Sequence, residues 1–377
     1  MSSSPTAAQL PAALADTCRS RLLDLFKTVP DPRARRGRRY DLASVLAVAL
    51  AAVISGARSF VAIGEWAAQQ PIETLRVLGV AGSAIPDEST IRRVFARLDA
   101  DLLDQYLGAF IWTRTHTVGS RRVIALDGKT VRGARSKTAT APHLVAALDQ
   151  ATGAVIGQLA VTAKSNEIPA VQGLLKLFDL TDVVVTVDAM HTQTDTAQQI
   201  TTAGGDYVFT VKANQPKLHK ACKRLPWKDV PSHTTTSRGH GRKTTRTIKV
   251  TTAPAWVEFA GATQLAQVRR TVTRHGKKTI EVVYLITSAN HQAAPPTTLA
   301  AWVQGHWSIE NRLHWVRDVT YDEDRSQVRT GNAPQVMATL RNTAISLLRL
   351  TGVTNIAQRL RHHARNPETI LNLLLTS

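Results

Sequence analysis

Residues 182–193 read DVVVTVDAMHTQ, an unbroken β-branched run that ends on Asp188. A strand apolar on both of its alternating faces has no solvent side, so it belongs at the centre of a sheet covered above and below. Upstream, RRVIALDGKT (121–130) is a second β-branched run ending on Asp127. Between them, HLVAALDQATGAVIGQLAVT reads as two strands around the turn DQATG, and EIPAVQGLLKLFDL as an amphipathic helix. Downstream, TDTAQQITTAGG reads as helix and DYVFTVKAN as strand. Three strands followed by alternating helix and strand predict an α/β fold, a mixed sheet flanked by helices.

Outside this core the pattern changes. Residues 1–118 are helical: apolar residues recur at helical spacing in CRSRLLDLFKTV, SFVAIGEWAAQ and DADLLDQYLGAFIW, and Asp87 or Ser89 can cap TIRRVFARLD. The sheet domain then runs over 119–220, is interrupted by a Thr-, Arg- and Lys-rich β-type insertion at 221–288, and resumes over 289–350. Residues 351–377 read as a basic helical tail. The uncharged run LASVLAVALAAVISGA is shorter than the roughly 20 residues a membrane span needs, so it reads as a buried helix.

The charge balance points to a polyanion. The 377 residues carry 47 Lys and Arg against 28 Asp and Glu, a net charge of +19, and nucleic acid is the commonest partner of such a surface. Cys18 and Cys222 stand far apart without a CxxC spacing, which argues against a disulfide framework or zinc ribbon and fits a reducing cytoplasm. The first residues lack the charged start and apolar core of a secretory signal.

A third carboxylate, Glu310 in GHWSIENRLHWVRD, falls on a predicted helix. Two aspartates at strand ends and a distant glutamate can assemble a divalent-metal site of the kind that cuts or joins phosphodiesters. Asp149 and Asp182 are explained by turns, and the acidic run Asp322, Glu323, Asp324 reads as a solvated turn. Asp318 is a reserve ligand. His306 and His314 stand four residues either side of Glu310, but a zinc shell drawn from one helix at that spacing would stretch about 12 Å, so they are expected to orient the glutamate or touch DNA. GKT at 128–130 does not form a nucleotide loop, because Val123 occupies the position of the required glycine.

The chain resembles bacterial insertion-sequence transposases of the DDE type, in the H-repeat-associated branch. The resemblance runs in order through ALDGKTVRGAR, HLVAALD, AKSNEIPA, VDAMHTQ, VKANQP, RGHGR and HWSIENRLHWVRDVTYDEDRSQVRTGNAP. It implies a ribonuclease-H-like core and metal-dependent DNA strand cleavage and strand transfer. Asp127, Asp188 and Glu310 are then the catalytic and metal-binding residues, holding Mg²⁺ or Mn²⁺ as two ions. The implied partners are double-stranded DNA, as transposon inverted repeats and target, and a second copy of the chain, in the bacterial cytoplasm at the nucleoid. Gln304, where the family has Arg, and KTTR after RGHGR are departures from its pattern. A DNA-binding descendant that no longer catalyses, or a metal nuclease without transposition, are the alternatives.

Candidate DNA contacts are the run Arg33, Arg35, Arg36, Arg38 and Arg39, then Lys129 and Arg132 after the first aspartate, and Lys212 after the DYVFTV strand. Arg238 and Arg242 represent the basic insertion, and Arg312 and Arg317 flank the glutamate. Trp302, Trp307 and Trp315 are expected to pack in the core or stack on bases.

Overall fold

The computed structural model describes residues 21–82, 84–115, 121–136, 140–162, 166–239 and 241–377; Cys18 lies outside them. The chain forms two compact units, each assembled from separated segments. One comprises Met1–Val118, Gly128–Leu177 and Ser308–Ser377; the other comprises Gly119–Asp127 and Phe178–Trp307.

The first unit is built around α2 (Leu42–Ile54), in which every residue but Ala43 is buried. That is the uncharged run of the sequence, and it is a core helix; among the described residues no helix is long and apolar enough to cross a membrane. Packed on it are α1 (Leu22–Thr28) and α3 (Phe60–Gln69), followed in the chain by α4 (Ile72–Val77), α5 (Glu88–Arg97) and α6 (Ala100–Trp112). Asp87 caps α5 by accepting from the Thr90 N–H at 2.7 Å, while Ser89 only bonds the capping carboxylate.

The hairpin β2 (His143–Asp149) and β3 (Val155–Ala160) belongs to the same unit, with α7 (Glu167–Leu175) and α6 packed against it. Gly108 lets α6 approach, since a Cβ there would fall 2.7 Å from the Ile156 carbonyl oxygen. Asp149 closes the hairpin by accepting from the Thr152 N–H at 2.9 Å and hydroxyl at 2.6 Å, the turn role its sequence context predicts.

The C-terminal residues are not a tail. After α11 (Ala333–Leu350), Ile356 and Leu360 of α12 (Ile356–Arg365) and Ile370 and Leu374 of α13 (Glu368–Thr376) are buried, and α13 packs on α1 and α2. The arginines that mark this stretch, Arg359, Arg361 and Arg365, occupy the exposed face of α12.

The second unit carries β4 (Val183–Val187), β5 (Asp206–Val211), β6 (Ser232–Gly239), β7 (Arg242–Thr252), β8 (Gln264–Arg274) and β9 (Lys277–Thr287). β1 (Arg122–Thr130) contributes residues to both units. β1, β4 and β5 run parallel; β9 adds antiparallel to β5, and β8, β7 and β6 follow in antiparallel succession. The strands follow the order β3-β2-β1-β4-β5-β9-β8-β7-β6, a mixed sheet whose first five strands have the ribonuclease-H-like arrangement. All five residues of β4 are buried, as a VVVTV strand requires. The segment read as an insertion therefore lengthens the sheet from the β5 edge.

Helix α8 (Thr194–Thr202) packs on β5, α9 (Pro216–Arg224) follows that strand in the chain, and α10 (Pro296–His306) lies on β4, β6 and β7. Leu299 and Trp302 of α10 close a core with Val184, Val208, Ile248, Ala266 and Leu285.

Candidate active site

Strand register brings two of the three carboxylates together. Ala125 of β1 is level with Thr186 of β4, and the strands are parallel. Continued by two residues, that register carries Asp127, which lies inside β1 rather than at the strand end the sequence suggests, to the level of Asp188, the first residue past β4. Asp188 lies just past its strand, with Oδ1 accepting from the Met190 N–H at 3.1 Å and the His191 N–H at 3.4 Å. Its side chain is 47% exposed, so Oδ2 remains for a cation. Carboxylate oxygens are the hard ligands that Mg²⁺ or Mn²⁺ takes.

The loop that carries Asp188 is fixed by the next strand's loop. The Asn214 amide donates to the Ala189 carbonyl at 2.6 Å, the Gln215 amide to the Thr192 carbonyl at 2.8 Å, and the Thr192 hydroxyl to the Thr210 carbonyl at 2.6 Å. These contacts explain why VDAMHTQ and VKANQP are both distinctive: they form one device. His306 stands over β4, its Nδ1 3.1 Å from the Thr186 hydroxyl, which is itself bonded to the Ile124 carbonyl.

Glu310 lies in the helical unit. Helix α10 stops at His306, and Glu310–His314 and Val316–Thr320 are π-helical, the Trp315 N–H reaching back to the Glu310 carbonyl. The even four-residue spacing through His306, Glu310 and His314 is thus not carried by one α-helix, and π-turns of this kind cluster at functional sites. Glu310 is exposed, and His314 Nδ1 lies 3.5 Å from its Oε2. Burial lowers the His314 pKa against the opposing pull of the Glu310 carboxylate.

Around the last residues of β1, the helical unit gathers a second group of polar side chains. His143 bridges the Thr130 hydroxyl and Glu167, each at 2.7 Å. A Cβ at Gly128 would collide with the Glu167 carboxylate and lie 2.6 Å from His143 Nε2, so the glycine of LDGK is required for this approach. Lys129 is nearly buried, its ammonium 2.6 Å from Asp318, which commits the reserve ligand to an ion pair.

The expected DNA contacts divide sharply. Arg35, Arg36 and Arg39 are exposed, as are Arg132, Lys212, Arg238 and Arg242. Arg33 instead turns inward to Asp31 at 2.8 Å and to the Tyr40 carbonyl, and Arg38 donates to the Arg33 carbonyl. Arg132 also lies 3.5 Å from Asp324. Arg312 is half-buried against the β2–β3 turn, donating to the Gln150 carbonyl at 3.4 Å.

Arg317 is a correction: it is fully buried and paired with Glu323 at 2.7 Å, so its guanidinium is spent inside the fold. Glu323, expected in a solvated turn, is likewise fully buried, between Arg317 and Arg341. Sequence reasoning missed this pairing because nothing local distinguishes Glu323 from its exposed acidic neighbours. Trp302 is in the core, whereas Trp307 and Trp315 are more than half exposed.

Residues 23–111 match the family described as DDE_Tnp_1-associated, and residues 119–347 match the Transposase DDE domain. "Putative transposase YncI" of Escherichia coli O157:H7 is 33% identical over 344 residues, 87% of each chain. "H repeat-associated putative transposase YhhI" of Escherichia coli K12 is 33% identical over 87% of this chain and 90% of its own. Among solved structures, a piggyBac transposase synaptic complex with hairpin DNA aligns with 96% of this chain and 82% of its own, at a TM-score of 0.45 and 12% identity.

Proposed function

This chain belongs to the DDE transposase family, and we propose that it binds the ends of a mobile DNA element and cuts and joins strands there, using divalent metal held by Asp127, Asp188 and Glu310. The observation that supports the reading is the parallel register of β1 and β4, which continues toward Asp127 and Asp188 at the same level. Bound Mg²⁺ or Mn²⁺, as two ions, would supply Lewis-acid stabilisation of the charge that develops on the phosphate oxygens. The chain's own residues prepare that role. Two backbone N–H groups and the Asn214–Gln215 loop fix Asp188, and His314 steadies the Glu310 carboxylate. Lys129 holds Asp318 away from ligand duty. Two ends must be processed together, so two copies are expected to act on one pair of ends.

The test uses the purified chain, Mg²⁺ and duplexes carrying the inverted repeats that flank its gene. Wild type should cleave and join them, while Asp127→Asn, Asp188→Asn and Glu310→Gln should each fall to background and still bind DNA. Cleavage retained by any one of these variants removes that residue from the site. Cleavage indifferent to the terminal sequence makes the chain a general metal nuclease instead.

A further inference from the structure

The β6–β9 ribbon holds many of the chain's cations, and its register sorts them. Directly opposed residues of an antiparallel ladder share a face, as do residues two apart along a strand. Arg242 is opposite Arg274, Arg246 opposite Arg270, and Arg274 opposite Lys277. All five therefore stand on one face. Further along that face, Ile248, Ala266 and Leu285 pass into the core with Trp302. Arg238, Lys243, Arg269 and Lys278 fall on the other face, among threonine pairs such as Thr234–Thr247 and Thr236–Thr245.

Like charges directly opposite one another destabilise a sheet, and here two such arginine pairs flank the single row Thr244–Val272 on the same face. Among the described residues, the ion pairing they receive is confined to Glu281, 3.7 Å from Arg270. Arg246 and Arg270 are half-buried, and the buried Arg270 Nε lacks a hydrogen-bond partner. The Arg270 guanidinium lies 6.0 Å from the Trp307 ring. The crowding is also felt chemically: burial, then Arg270 and Arg242, lowers the Arg246 pKa.

We infer that this arginine ladder is a phosphate-binding face that seats on the backbone of duplex DNA. The inference rests on the DNA reading above and adds to it the surface and the contacted group. Guanidinium forks match phosphate oxygens in pairs, which is the compensation the fold itself withholds. The two rows are four residues apart along the strand, roughly 13–14 Å, so they reach separate phosphates.

The experiment measures binding of the full chain to a short end-containing duplex by fluorescence anisotropy across a salt series. Arg246→Gln/Arg270→Gln should weaken binding about tenfold or more and flatten the slope of log affinity against log salt by about two. Lys243→Gln/Lys278→Gln removes the same charge from the other face and should change affinity less than about threefold, with little change of slope. Arg246→Lys/Arg270→Lys should retain most of the slope. Because the ladder is strained by like charge, the glutamine pair should melt no lower than wild type; Arg242→Gln/Arg274→Gln gives the same reading from the more exposed row if it does. Equal losses from both faces, or no loss from the ladder in a chain that binds DNA, overturn the inference alone. Failure of the wild type to bind DNA overturns the DNA reading with it.

Discussion

Arginine does opposite work in the two units. In the helical unit Arg317 and Arg341 are buried to the last few per cent and converge on Glu323, with Arg317 Nε and Nη2 at 3.0 and 2.7 Å and Arg341 Nη1 at 2.8 Å. Gln158 and Asn342 approach the remaining Arg317 nitrogen at 3.4 Å, and Arg341 donates to the Arg58 carbonyl. On the β6–β9 ribbon the arginines face one another with one acid among them. A buried charge must find its partners within the fold, because nothing outside can reach it. Cations aligned in register without partners make sense only where the counter-charge arrives with a ligand. Structural and recognition arginines are thus separable by what surrounds them, although the sequence writes both with the same letter.

The largest effect should come from breaking the buried side of this contrast. Glu323→Gln leaves two desolvated guanidiniums without a counter-charge and should cost about 3–5 kcal/mol in urea unfolding, a loss typical of a buried pair deprived of one member. Burial alone would raise the Glu323 pKa, but Arg317 and Arg341 overrule it and hold the group at about 2. Its folded pKa therefore lies below its ordinary 4.5. The stability it contributes is present above about 4.5 and drains away as pH falls toward about 2.

Asp104, in the same unit, sharpens the point because it is buried with neutral donors only. Gln158, Gln335 and Thr339 donate to it at 2.7–3.2 Å, and burial still pushes its pKa up to about 7 from an ordinary 3.8. The sign is the reverse of Glu323. Between 3.8 and about 7 the folded chain holds a proton that the unfolded chain has released, so this contribution is greatest in acid and is lost as pH rises through about 7. Denaturant midpoints measured from pH 4 to 8 should fall by an amount worth on the order of 4 kcal/mol, and Asp104→Asn should flatten that dependence.

How much of this was legible beforehand follows the same division. Local pattern was enough for VVVTV as a central strand, for the two-strand hairpin at Asp149 and for the buried Leu42 helix, because periodicity and turn chemistry act over a few residues. That Asp127 and Asp188 come to one level needs the register of β1 against β4, which the sequence does not write; nor does it show that β1 runs on past Asp127 to Thr130. The fate of Arg317 and Glu323 was not legible, since their burial depends on Arg341 and Asn342 in a helix that packs on them from later in the chain. The π-helical turns at Glu310 were equally hidden, as no residue preference separates them from an α-helix. The ladder lay between these cases. Its arginines were visible as a basic stretch, but which of them share a face depends on a register fixed by the β8–β9 turn at His275–Gly276.

The smallest effect probes the exposed side, at the acid that interrupts the ladder. Glu281 is half exposed and 3.7 Å from Arg270, a pair worth about 0–1 kcal/mol in water. Glu281→Gln should therefore leave the denaturant midpoint within about 0.5 kcal/mol of wild type, against the several kcal/mol expected at Glu323. Its effect on DNA should have the other sign. Removing one negative charge from a face of five cations raises the local potential, and affinity for a short duplex should increase about two- to five-fold at low salt, the gain shrinking as salt screens it. An unchanged or weakened affinity would mean that Glu281 positions Arg270 for the phosphate, and then Glu281→Lys should bind worse than glutamine despite its added positive charge.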